Sequence, residues 1–115
     1  MNNKEKSKEY IHELYNSLNT HENMSPELLD ILDVLLQVYT KIDNEKNPEA
    51  LVNRLVQYIR SLSLKGRLHY SHLEEKWLIE LGLIGQKAGL NGLYRGDFSD
   101  KSQFYKFTEN IPRHK

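Results

Sequence analysis

The stretch "SPELLDILDVLLQVYTKI", residues 25–42, decides the fold. Its apolar residues Leu28, Ile31, Leu32, Leu35, Val38, Tyr39 and Ile42 recur three and four apart, which is the period of one helix face. Asp30, Asp33, Gln37 and Lys41 fall on the opposite side as a polar stripe, read here as solvated. The start is signalled by Ser25-Pro26-Glu27: the serine can accept a bond from a free backbone N–H, and proline fits the first turn because its missing N–H is not needed there. This helix reaches about Asn44.

The same grammar extends in both directions. A first helix runs from Lys4 to Leu18 on the stripe Ile11, Leu14, Tyr15 and Leu18. Asn47-Pro48-Glu49 repeats the start device, and a third helix turns Leu51, Leu55, Tyr58, Ile59 and Leu62 inward. It ends before Gly66, read as a left-handed cap. Ser71 and Glu74 have the spacing of a capping box. The fourth helix runs to about Ala88, with Leu73, Trp77, Leu81, Ile84 and Ala88 as its core face. Connections are short, so successive helices should pack antiparallel. The expected fold is all-α, an antiparallel up-down four-helix bundle over residues 1–90, with an irregular C-terminal tail over 91–115 packing on or extending from it.

Two features of the fourth helix stand apart from its core face. Gly82 and Gly85, with Leu78 and Gly89, make a strip fit for close helix packing or for receiving tail aromatics. Ile79 and Leu83 lie on an outer flank beside Lys76, Glu80 and Lys87, as a secondary partner patch.

Composition narrows the function. The 115 residues suit one soluble domain with a real core. Sixteen cationic side chains balance sixteen anionic ones, which argues against nucleic acid as a partner. The absence of cysteine removes disulfides and thiolate chemistry and suits a reducing cytosol. The polar N-terminus lacks the apolar core of a signal peptide, and no stretch reaches membrane-spanning length. His69 and His72 lie near Glu75, but a metal needs three or four converging ligands and this pair need not share a face. They read as surface or capping residues, with His12 and His21 isolated. No catalytic constellation, metal site or cofactor motif emerges, so the expectation is a protein that is not an enzyme.

The tail from Asn91 carries a net charge of +2 against −2 for the rest. Its opening part, "GLNGLYRGDFSDKSQF" (residues 89–104), breaks helical periodicity and mixes turn signals, aromatics and both signs of charge. This segment resembles the C-terminal part of the immunity proteins against pediocin-like (class IIa) bacteriocins. "IHELYN", "DILDVLLQVYTKI" and "LVNRLVQYI" are similar to the same family, so the resemblance covers about Ile11 to Phe104. The chain departs from it by continuing with "YKFTENIPRHK".

The resemblance implies a cytoplasmic, non-enzymatic four-helix bundle that protects a cell from a pore-forming peptide. It implies transient association, at the cytoplasmic face of the membrane, with mannose phosphotransferase membrane components carrying bound bacteriocin. It also implies that the C-terminal part sets which bacteriocins are resisted. The residues expected to carry contact are then Tyr94, Phe98 and Phe104 as aromatic anchors, and Arg95, Asp97, Asp100 and Lys101 as selecting charges. Asn91 and Gly92 would make the reversal off the fourth helix. The expected state is a monomer. The alternative is a helical regulatory module that binds another protein without chemistry.

Overall fold

The computed structural model describes residues 1–89 and 97–114. Four α-helices follow one another: α1 (Asn3–Leu18), α2 (Pro26–Lys41), α3 (Pro48–Gly66) and α4 (His72–Gln86). Single 3-10 turns cover Ile42–Asn44, directly after α2, and Lys101–Phe104 in the tail. No strand occurs among the described residues.

Each helix begins where a side chain can take up a free N–H. Asn2 accepts from Glu5, Ser25 from Leu28 and Asn47 from Ala50. At α4 the capping box is complete: Ser71 accepts from the Glu74 N–H, and Glu74 accepts from the Ser71 N–H.

Contacts between helix ends fix the directions. Lys8 near the start of α1 pairs with Asp43 just past α2, at 2.7 Å. Glu27 at the start of α2 lies against Gly66 at the end of α3. Asn53 early in α3 donates to the carbonyl of Gly85 late in α4. Ser17 and His21, at and beyond the end of α1, bind Glu74 at the start of α4. Every neighbouring pair is thus antiparallel, and α1 against α4 closes the ring of an up-down four-helix bundle.

The expected stripes of α1, α2 and α3 line the core, and Val34, Val52 and Val56 are buried with them. Two expectations need correction. Gly66 belongs to α3, and the left-handed residue is Arg67, with φ 51°. Gly66 instead packs closely on α2: a Cβ there would stand 2.9 Å from the Glu27 side chain, which would have to shift.

The face of α4 is also rotated from expectation. Leu78, Leu81 and Ile84 are buried, whereas Leu73 is 53% exposed and Trp77 is only partly buried. The cause is the close approach of α4 to α3 at Gly85, where a Cβ would lie 2.8 Å from the Cα of Asn53. That approach turns the strip Leu78–Gly85 inward, so Gly85 serves helix packing. Gly82 has room, its nearest contact being Val56 at 3.9 Å.

Candidate functional site

The polar stripe of α2 is the foundation of the site. Asp30, Asp33, Gln37 and Lys41 repeat three and four apart, and so share one face. That face does not stand in water as expected. The tail covers it, and all four side chains bind the tail.

Lys101 is the centre of this contact. It is 6% exposed, and its ammonium donates to Asp30 at 2.8 Å, to Asp33 at 3.0 Å and to the carbonyl of Pro112. An ammonium has three donors, and here each has an acceptor. His114 reaches the same Asp33 carboxylate at 2.6 Å. One turn further along α2, Gln37 donates to the Phe104 carbonyl at 3.1 Å and to the Glu109 carboxylate. Lys41 at the end of α2 pairs with Glu109. The tail therefore runs beside α2 from Lys101 to Glu109 and returns to Asp33 at His114.

The reversal is a turn over residues 106–109. The Lys106 N–H donates to the Glu109 carboxylate, and the Glu109 N–H donates to the Lys106 carbonyl. The Lys41 bond, then the Lys106 N–H, hold the Glu109 pKa down at about 2. The apolar half of the contact is Phe104, buried in the core with its ring edge-on to Tyr58 at 5.3 Å. Burial, then the nearby carboxylates of Asp33 and Asp30, push the Tyr105 hydroxyl up to about 12.

Just before Lys101, the chain makes a tight polar turn. Asp97 accepts from the backbone and hydroxyl of Ser99. These bonds lower its pKa. Asp100 caps the 3-10 turn by accepting from Ser102. Gln103 ties the turn from below, donating to the carbonyls of Phe98 and Asp100. Asp97 and Asp100 are exposed, and Phe98 is half-buried.

The residues expected to carry contact thus divide. Asp97, Phe98 and Asp100 stand together on the turn. Lys101 and Phe104 are taken into the protein's own fold, because α2 offers paired carboxylates to the one and Tyr58 an apolar seat to the other. Asn91, Gly92, Tyr94 and Arg95 lie outside the described residues. On α4, Ile79 and Leu83 are 51% and 50% exposed.

Asp30, Asp33 and His114 bring ligand atoms within 4.8 Å of one another, a spacing that could hold a metal ion. The Lys101 ammonium already occupies the position between the two carboxylates and supplies the positive charge. His69 and His72 are exposed, and Glu75 is bound by Arg60 at 2.6 Å.

His21 is not isolated. Its Nε2 meets the buried Glu74 carboxylate at 2.9 Å, and Ser17 donates to the same oxygen. Burial works against ionisation of Glu74, but the bonds from Ser17, the Ser71 N–H and His21 outweigh it and leave its pKa lowered. Nothing local in the sequence marks His21 as a partner for Glu74. The α2 stripe had one legible signal: acidic, acidic, neutral, basic along the helix, against basic Lys101 and acidic Glu109 in the tail.

Among the described residues, no helix is long and apolar enough to cross a membrane. Comparison with known proteins bears on the same bundle. The model of the bacteriocin immunity protein family matches residues 5–86, which span all four helices. The chain is 61% identical over 80 residues to the "Probable leucocin-A immunity protein" of Leuconostoc gelidum, covering 70% of this chain and 71% of that one. It is 54% identical over 101 residues to the "Probable mesentericin-Y105 immunity protein" of Leuconostoc mesenteroides, covering 88% of each. No solved structure matches the chain significantly. With its helical bundle matched from end to end and two such relatives covered over most of their length, the chain belongs to the bacteriocin immunity protein family.

Proposed function

We propose that this protein protects its cell against pore-forming pediocin-like (class IIa) bacteriocins, and that it does so by binding rather than by chemistry. The observation that carries the reading is the match of the family model across the four helices, together with two relatives named as immunity proteins. Those names make peptides of the leucocin A and mesentericin Y105 kind the first to test.

The proposed partner is the set of mannose phosphotransferase membrane components with bacteriocin bound, met from the cytoplasmic side by a monomer. The turn bearing Asp97, Phe98 and Asp100 supplies two outward carboxylates beside an aromatic ring, a composition that selects partners by charge and shape. Asn91, Gly92, Tyr94 and Arg95 are proposed to extend that surface. Ile79 and Leu83 on the outer face of α4 are a proposed second patch.

The test is survival. The chain is expressed in a bacteriocin-sensitive strain and challenged with a panel of pediocin-like peptides that includes leucocin A and mesentericin Y105. Protection against at least one is the expected outcome, and uniform sensitivity at verified expression would sink the proposal. Co-purification from detergent extracts, with and without peptide, tests the partner separately. Recovery of the phosphotransferase components only when peptide is present is expected.

A further inference from the structure

We infer that the polar stripe of α2 is a dock that positions the turn at residues 97–100 for its partner, so that Asp30, Asp33 and Lys101 are positioning residues for immunity. The inference rests on the function proposed above. Three observations carry it. First, Lys101 is a buried charge whose three donors are satisfied only when the tail lies on α2. Removing one side of such an arrangement leaves groups unpaired and favours release.

Second, the dock and the turn are mechanically continuous. Asp100 precedes Lys101 and caps the 3-10 turn that contains it, and Gln103 binds the Phe98 and Asp100 carbonyls within that same turn. A displacement of Lys101 therefore moves the exposed carboxylates of Asp97 and Asp100.

Third, α2 packs its opposite face into the core without help from the stripe, and the stripe's side chains spend their strongest bonds on the tail. The titratable groups facing this contact are Asp30, Asp33, Glu27, Tyr58 and Lys65 from the bundle, and Asp100, Tyr105, Arg113 and His114 from the tail.

The experiment uses the full chain. Asp30→Asn with Asp33→Asn, and separately Lys101→Met, are compared with the parent by trypsin cleavage after Lys106, by helix content and by protection at matched intracellular level. Cleavage about ten-fold faster at unchanged helix content is expected, because the tail then opens locally. Protection is expected to fall unequally across the peptide panel, which a general loss of stability would not produce.

Lys101→Arg keeps the charge and should restore much of the parent's cleavage resistance and its ranking of peptides. Cleavage at the parent's rate would overturn the dock. Fast cleavage with unchanged protection, or a loss that only follows protein level, would overturn the positioning role. Should the double variant fail to fold, Lys101→Met decides, since it leaves every helix unaltered. If the parent itself protects against nothing, the proposed function falls and takes the positioning role with it, while the cleavage rates still decide whether the stripe holds the tail.

Discussion

Two glycines one turn apart on α4 are chemically identical and structurally opposite. At Gly85 an added methyl would lie 2.8 Å from backbone of α3, which has no flexible end to move aside. Gly85→Ala should therefore destabilise by about 1–3 kcal/mol in denaturant melts, as overpacking does. At Gly82 the nearest atom is 3.9 Å away, and Gly82→Ala should leave stability unchanged or raise it by up to about 1 kcal/mol through helix propensity. Equal effects at the two sites would show that α3 and α4 do not approach at Gly85. The sequence shows both as interior helix glycines, and only the neighbouring helix tells them apart. Glu74 shows the complementary limit. Its half of the capping box is legible from Ser71 three residues earlier. Its bonds to Ser17 and His21 come from another helix and leave no local mark. Its lowered pKa means that its contribution is full above the unfolded carboxylate value of about 4.3 and is lost as pH falls through the folded value. Glu74→Gln should flatten the acid side of the stability profile, and a profile identical to the parent's would remove Glu74 from acid unfolding.

At the scale of elements, helix starts were legible because caps are local: Ser25, Asn47 and Ser71 each bind an N–H three residues on. The burial of α4 was legible only in part: Leu81 and Ile84 are inside as expected, Leu73 and Trp77 are not. Its leucines, isoleucines and tryptophan are spread around most of the helix, so several stripes fit the period and contact with α1 and α3 chooses among them. The choice is measurable. Leu78→Ala should cost about 2–5 kcal/mol, as a fully buried leucine does. Leu73→Ala, at a half-exposed position, should cost less than about 1 kcal/mol. A reversal of that order would restore Leu73 to the core. The cover on α2 left only its charge order as a signal, for a different reason. A polar stripe looks the same in sequence whether water or the protein's own tail satisfies it. Phe104 lies in a segment with no period to read, yet it is part of the core. Phe104→Ala should cost about 3–5 kcal/mol, far more than loss of a ring held against solvent.

In the whole molecule, the four helices enclose the core and the tail ties α2 from outside, chiefly by charge. Acid should therefore loosen the tail. The Glu109 pKa is held at about 2, so its pairing with Lys41 persists above the ordinary carboxylate range and disappears between about pH 4 and pH 2. Trypsin sites being unusable there, pepsin cleavage of the tail with helix content followed in parallel would show the release, and Glu109→Gln should shift it toward neutral pH. Release at the same pH in both would clear Glu109 of the role. The separation of partners along the chain has a further consequence, in the order of manufacture. Asp30 is 71 residues ahead of Lys101, and Asp33 is 81 ahead of His114. At translation rates of about 5–20 residues per second, α2 leaves the ribosome on the order of 4–14 s before the cation that will join it. A chain released early, short of Lys101, has all four helices and no cover over Tyr58. Residues 101–114, made well after α2, thus close the fold, and a cell's proteases meet a copy that stops short of them with an apolar face open and one that includes them with it shut.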